Sequence, residues 1–350
     1  MKFLKRLFLV LLTLIIILGI AGVIIVPILQ RQSLPQTDGE ITLPGLDGRV
    51  DVYRDSYGIP HIYATTEHDL FMAQGYVQAQ DRFWQMDFWR HQAVGRLSEL
   101  LGENTLETDK YLQTLGWERV AQEELNQLDE GTLAVLEAFS EGVNAYLGER
   151  SSTQLSYEYV FLPIINPNYS PEPWRPLHTL AWPKAMAWDL RGNMETELDR
   201  AMLLKTLTQE QVDFLFPEYD FENRPIIVPN PHLTGASTSG ETYPTLAGSL
   251  FPVFNTLRTD TAALDTWRGG GFDGIGSNSW VIGGDLTDTG MPLLANDPHL
   301  GAQLPSIWYE VGLHCAPKTD ACPYDLDGFA FSASPGIVIG HNDRIAWGMT

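Results

Sequence analysis

Residues 230–276 follow no periodic pattern. Thr, Ser, Gly and Pro accumulate there, and the stretch ends in Gly269, Gly270, Gly271, Gly274 and Gly276. Connections inside compact domains are mostly about 4–6 residues long, so an unpatterned run of this length marks a functional or disordered segment. It also divides the chain. Before it, the alternating segments Val50-Asp51-Val52-Tyr53-Arg54 and Ile59-Pro60-His61-Ile62-Tyr63, joined through Tyr57-Gly58, predict a two-stranded hairpin. Thr66 with Asp69 three residues on predicts a helix start. Leu70, Ala73, Val77, Phe83, Trp84 and Phe88 then recur at helical spacing, predicting a helix that reaches Leu101 and stops at Gly102. Further helix is expected over 132–147 and 179–207, with a Pro-rich loop at 162–176 anchored by Trp174. After the unpatterned stretch the period shortens. Strands are expected at 280–282 and 291–295, with a Gly283-Gly284 and Asp288-Thr289-Gly290 turn between them. A second hairpin is expected from 337–339 and 345–347 around His341-Asn342-Asp343. No internal repeat is visible.

The N-terminus reads as an address. Lys2, Lys5 and Arg6 precede an uncharged apolar run at 7–29, about long enough to span a bilayer and longer than the core of a usual signal peptide. Basic residues on the near side place the bulk of the chain on the far side of the membrane. An uncleaved signal anchor is expected, with a cleaved signal peptide as the alternative, and with the globular part periplasmic or extracellular. The net charge of −22, from 44 acidic and 22 basic residues, argues against nucleic acid as a partner, because phosphate contacts need clustered Lys and Arg. Cys315 and Cys322 are the two cysteines, and in an exported domain so short a loop is readily closed by a disulfide. A metal site with the adjacent His314 is the alternative, but a structural zinc site needs four ligands and no second pair exists.

Ser277 follows the glycines and opens the apolar strand-like run. If the Gly276–Ser277 bond were cut, one residue would carry both a hydroxyl and an α-amine. The hydroxyl is a weak nucleophile until a base takes its proton. An α-amine, with an ordinary pKa of roughly 7.7–8.0, is a competent base near neutral pH. Other signatures fall away. Gly269-Gly270-Gly271-Phe272-Asp273-Gly274 fits G-x-G-x-x-G but neither follows a strand nor opens a helix, and no P-loop, H-E-x-x-H or G-x-S-x-G is present.

Several blocks in order resemble the penicillin acylase family of N-terminal-nucleophile hydrolases. Tyr57-Gly58-Ile59-Pro60-His61-Ile62-Tyr63-Ala64 is similar to its opening hairpin. Gly75-Tyr76-Val77-Gln78-Ala79-Gln80-Asp81-Arg82-Phe83-Trp84 and Gly95-Arg96-Leu97-Ser98-Glu99-Leu100-Leu101-Gly102 are similar to its first long helix and the end of that helix. Ser277-Asn278-Ser279-Trp280-Val281-Ile282 is similar to the start of its catalytic chain, and Asn296-Asp297-Pro298-His299-Leu300 to the next strand. The resemblance implies an α+β fold, an αββα sandwich that is incomplete here, preceded by a mainly helical small-subunit region and a transmembrane anchor. It divides the chain into a signal anchor and linker (1–36), the small-subunit region (37–232), an excised spacer (233–276) and the start of the catalytic chain (277–350).

The resemblance further implies a precursor that cuts itself between Gly276 and Ser277, leaving Ser277 as the nucleophile in hydrolysis of a small-molecule N-acyl amide, with the processed small subunit as its partner. His299 stands where penicillin acylases tend to have glutamine, and is similar to the cephalosporin and acyl-homoserine-lactone acylases. Its implied role is to orient the Ser277 amine. Asn278 reads as a turn residue and is left out of the site. The family's structural calcium is implied at Glu197, with Glu195 as the alternative register, and acyl-group specificity at Met186, Trp188, Leu300 and Ile339. One oxyanion-hole N–H is implied just beyond Thr350 and an asparagine donor further on, so the 350 residues are expected to be an inactive fragment of a longer parent. Two other readings compete: a serine hydrolase with His299 as base and no chain cleavage, and a non-catalytic or degenerate membrane-anchored homologue.

Overall fold

The computed structural model describes residues 2–148, 150–190, 194–217, 219–220, 223–224 and 276–350. Of the expected spacer at 233–276, residues 233–275 therefore lie outside the described residues, and Gly276 is the first residue of a strand. The chain forms two compact units, Met1–Trp188 with Gly274–Thr350, and Asp189–Asp273.

The helices are α1 (Lys2–Gln32), α2 (Glu67–Val94), α3 (Ser98–Leu101), α4 (Leu106–Leu115), α5 (Trp117–Leu125), α6 (Glu130–Gly148), α7 (Ser152–Leu155), α8 (Pro176–Leu190), α9 (Met194–Leu203) and α10 (Gln209–Leu215). The strands are β1 (Asp51–Arg54), β2 (Pro60–Ala64), β3 (Gly276–Ile282), β4 (Leu293–His299), β5 (Trp308–Cys315), β6 (Asp325–Phe331), β7 (Ile339–His341) and β8 (Ala346–Trp347). Six of them make one sheet in the order β1-β2-β5-β6-β7-β8, and β3 pairs with β4 in a separate two-stranded sheet. β2 and β5 run parallel, and the other pairs are antiparallel. The expected hairpins at β1–β2 and β7–β8 are present.

α1 carries exposed apolar side chains, with Phe8 66% and Val23 77% accessible. The side chains of Ile15, Leu18 and Ala21 lie outside the described set. Judged over the described residues, no helix is long and apolar enough to cross a membrane, so the expected anchor has no support in the structure.

The expected cap is in place: Thr66 Oγ1 accepts the N–H of Asp69 at 3.1 Å. The helix it opens ends earlier than expected. Gly95 takes φ 67° and its N–H closes on Gln92, so the chain turns there and restarts as α3. A left-handed residue ends a helix because its N–H is diverted to a carbonyl of the last turn. The helix expected at 179–207 is two helices, α8 and α9, and residues 191–193 between them lie outside the described set.

The core sits between α2 and the sheet. Ile62 and Ala64 of β2 and Val311, Leu313 and Cys315 of β5 are buried against Leu70, Phe71, Ala73 and Val77 of α2. On its other side α2 lies against α6 at backbone contact. A Cβ at Gly75 would overlap the Phe139 carbonyl, and one at Gly142 the Met72 carbonyl. Three α2 glutamines reach the loops between strands. Gln74 Nε2 donates to Gly336 O at 3.1 Å and Gly336 N–H to Gln74 Oε1 at 2.9 Å. Gln78 Nε2 donates to Ser334 O at 3.1 Å while Gln78 Oε1 accepts the Ala333 N–H at 3.0 Å, and Gln85 Nε2 donates to Ser306 O at 3.1 Å. Cys315 and Cys322 are disulfide-bonded, with Cα atoms 5.7 Å apart.

α2 also carries a buried charged network. Asp87 accepts from Arg90 Nε at 2.7 Å, from Tyr169 at 2.7 Å and from Tyr159. Burial raises the Asp87 carboxyl, but Arg90 and His91 overcome it and hold the group well below the usual carboxylate range. Nearby His178 is pushed down to about 2, first by burial and then by Arg90 and Arg175.

Two predictions follow from this packing. Gly142→Ala should destabilise the fold by roughly 3 kcal/mol, because a methyl there forces two backbones apart. Gly148→Ala, where a Cβ meets nothing within 4 Å, should stay within roughly 1 kcal/mol, and urea unfolding reads both. The second prediction concerns pH. The folded chain keeps His178 neutral while the unfolded chain protonates it near the ordinary 6.5. The stability this gives is full above about pH 6.5 and falls below it, by up to roughly 1.4 kcal/mol per pH unit. Unfolding midpoints at pH 7.5, 6.0 and 5.0 should converge in His178→Gln relative to the wild type.

Candidate active site

Ser277 is the second residue of β3. The β3–β4 ladder sets Gly276 opposite His299, Ser277 opposite Pro298 and Asn278 opposite Asp297. Residues opposite one another in an antiparallel pair share a face, so His299 belongs with Gly276 on one side. A Cβ at Gly276 would lie 3.8 Å from His299 Nδ1. The Ser277 hydroxyl donates to the Gly276 carbonyl oxygen at 2.7 Å, so Oγ rests against the peptide that precedes it.

His299 is half-buried and held from its other nitrogen. Its Nε2 lies 3.0 Å from Asp297 Oδ2, and the Asn278 amide nitrogen approaches the same Nε2 at 3.5 Å. The carboxylate accepts the Nε2 proton, which leaves the Nδ1 lone pair on the Gly276 side. Asn278, read from the sequence as a turn residue outside the site, is thus a strand residue beside His299. The expectation of a turn fails because Ser-Asn-Ser after glycines resembles a turn in isolation, whereas β3 runs through it. Asp297 was not singled out, although the alternation Asp297-Pro298-His299 places its side chain on the His299 face. Asn296 ties this sheet to the chain end by donating its amide to Met349 O at 3.1 Å.

The four expected specificity residues lie on three elements. Met186 is buried on α8 and Trp188 lies near its end, with its ring centroid 6.0 Å from those of Tyr111 and of Trp117. Leu300 follows β4 directly and its N–H donates to Pro298 O at 3.1 Å. Ile339 opens β7, buried opposite Phe329.

Glu197, the expected calcium ligand, is an exposed residue of α9 whose carboxylate lies 3.8 Å from Arg200 Nη1. Calcium takes six to eight oxygen ligands. Among the described residues no three-ligand cluster includes Glu197. A carboxylate facing a guanidinium does not by itself fit the ion, so no step is routed through calcium.

The model of the penicillin amidase family matches residues 49–350. The chain belongs to the penicillin amidase family. That membership supports the N-terminal-nucleophile α+β fold. Penicillin acylase 2 proenzyme of Pseudomonas sp. (strain SE83) is 31% identical over 321 residues, which cover 91% of this chain and 38% of that protein. Acyl-homoserine lactone acylase QuiP of Pseudomonas aeruginosa is 32% identical over 321 residues, covering 91% of this chain and 35% of that one. Penicillin G acylase of Escherichia coli is 25% identical over 361 residues, covering 88% and 40%. The chain therefore spans well under half the length of these relatives. A solved thermostable penicillin G acylase from Alcaligenes faecalis matches 52% of this chain and 98% of its own at 29% identity, with a TM-score of 0.44. The relatives are acylases, and the family's chemistry is hydrolysis of C–N amide bonds.

The polar contacts around His299 are exposed, with the Asp297 side chain 75% accessible. Exposed pairs contribute little to stability. Asn278→Ala and Asp297→Ala should therefore leave the unfolding midpoint within the equivalent of roughly 0.5 kcal/mol, as thermal unfolding would show.

Proposed function

We propose that this chain belongs to a precursor that cleaves itself between Gly276 and Ser277 and then hydrolyses an N-acyl amide through an acyl-enzyme on Ser277. The observation that supports it is the Ser277 hydroxyl lying 2.7 Å from the Gly276 carbonyl oxygen. Cleavage begins when Oγ adds to the Gly276 carbonyl carbon and its proton passes to a base. The amide nitrogen of Ser277 leaves with a proton, giving an ester on Oγ, and water then releases the Gly276 carboxylate. The freed α-amine takes the hydroxyl proton in the second reaction. Oγ adds to the substrate carbonyl, the amine product leaves carrying that proton, and water hydrolyses the acyl-enzyme. His299, fixed through Asp297, orients the new amine from the opposite strand.

The substrate class is an acylated small-molecule amine, with penicillins and acyl-homoserine lactones as the candidates that the relatives supply. His299 in place of glutamine favours the wider acylase group over penicillin G alone. We propose the processed small-subunit region as the partner chain, Met186, Trp188, Leu300 and Ile339 as the acyl pocket, and export with residues 7–29 as an anchor.

A second reading rests on one contact. The His299–Asp297 pair at 3.0 Å is also how a serine hydrolase orients its base. It requires a ring nitrogen of His299 on the Ser277 hydroxyl, whereas that hydroxyl is given to Gly276 O.

Expressing the full-length protein and sequencing its chain starts separates the two. Self-cleavage gives a second chain beginning at Ser277, and Ser277→Ala gives one uncleaved chain with turnover of an N-acyl substrate reduced more than roughly 10³-fold. An uncleaved but active wild-type protein would sink the proposal and support the second reading.

A further inference from the structure

The sheet face turned away from α2 holds a side-chain cluster that the acylase reading does not use. His61 of β2, Gly312 of β5 and Asp327 of β6 stand in one register row across three strands. His314 lies two residues beyond Gly312 and therefore on the same face. His61 Nδ1 is 3.4 Å from Asp327 Oδ1, and His314 Nε2 is 3.6 Å from the same oxygen. Three ligand atoms on a tetrahedral centre with arms of about 2.1 Å are about 3.4 Å apart, so each histidine donor already stands at ligand spacing from the carboxylate, and all three donor atoms lie within 4.8 Å of one another.

We propose that His61, His314 and Asp327 bind one first-row divalent cation, zinc in the first instance. Two imidazoles and a carboxylate are the donor set that such ions take, whereas calcium and magnesium prefer oxygen alone. Two independent features point to an ion rather than to a chance cluster. The first is His314. Its Nδ1 lies 2.8 Å from Asp325 Oδ1, which fixes the proton on that nitrogen and leaves Nε2 with a lone pair. That Nε2 is buried and makes no hydrogen bond. A carboxylate behind a ligating histidine is the usual second support of a metal site, and an unpaired buried acceptor is costly unless something positive meets it.

The second feature is the bare backbone at Gly312. A Cβ there would lie 2.7 Å from both His314 Nε2 and Asp327 Oδ1 and would overlap His61 Nδ1. Any other residue would fill the space into which the three donors lean, and an ion would sit above it, farther from the Cα. Tyr63 stacks on the His314 ring at 4.6 Å and covers it on one side. His341 stands opposite Asp327 on β7, on the same face, as a position for a fourth ligand in competition with water.

The test uses the full-length protein, purified without a histidine tag and stripped with chelator, then titrated calorimetrically with zinc chloride at pH 7.5. Cobalt(II) serves as the spectroscopic probe. One equivalent should bind with micromolar or tighter affinity, and cobalt should give visible bands of low-coordinate nitrogen and oxygen ligation. Gly312→Ala and Asp327→Asn, both of which keep the histidines, should each weaken binding at least tenfold. Asp325→Asn should weaken it by roughly 10- to 100-fold. Asp327→Asn is isosteric at a 40% exposed side chain and reports on the site even if His314→Ala does not fold. No saturable binding below millimolar zinc overturns the proposal, as does an equivalent that persists unchanged in Gly312→Ala and Asp327→Asn. The readout is binding, so its failure leaves the acylase reading untouched.

Discussion

The backbone contact between α2 and α6 is the constraint on which the first unit depends. Gly75 and Gly142 allow the Phe139 and Met72 carbonyls to approach the opposing helix where any side chain would intervene. That approach lets α2 be enclosed on nearly every side, and the polar residues along it follow from the enclosure. A buried amide must find partners, and Gln74, Gln78 and Gln85 find them in the backbones of residues 305–306 and 333–336. The helix from before the unpatterned stretch and the strands from after it are thus bonded group by group. Such pairing explains how the two parts of the chain would remain together if the peptide between them were cut.

Much of this was legible in the sequence, and the misses have physical causes. The Thr66 cap, the two hairpins and the helical spacing of Leu70 to Phe88 rest on local chemistry, and local chemistry predicts them. The helix expected through Leu101 failed because Gly95 reads as a tolerated interior glycine, while its left-handed φ is set by tertiary packing against Asp109 and Gln113. The glutamines of α2 carry no sign of their role in the one-dimensional pattern, because their partners lie more than 200 residues away. The nucleophile candidate was legible from its neighbours. The grouping of His299, Asp297 and Asn278 was not, because it arises from register between two strands.

The same limit hid the cluster on the outer face of the six-stranded sheet. His61, His314 and Asp327 are separated by hundreds of residues or by a turn, and the parallel β2–β5 and antiparallel β5–β6 pairings together bring them onto one face of the sheet. Alternation along β5 gives its two faces opposite characters. Val311, Leu313 and Cys315 enter the core, while Gly312 and His314 face the other way. A sequence pattern shows the inward set as strand periodicity and leaves the outward set looking like ordinary polar surface.

Register also governs the proposed active site, and it is set far from the chemistry. A slip of one residue between β3 and β4 would carry His299 to the opposite face from Gly276. The turn between the strands resists it. Gly290 takes φ 71°, and a Cβ on Gly284 would overlap the Gly290 carbonyl. Thr287 Oγ1 donates to Met291 O at 2.7 Å and locks the second half of the turn. The apolar residues of these strands do not supply that discrimination, since Trp280 and Val281 are 67% and 72% exposed within this chain. With little burial to choose between registers, the Gly283–Met291 turn carries the alignment of Ser277 with the strand that holds His299.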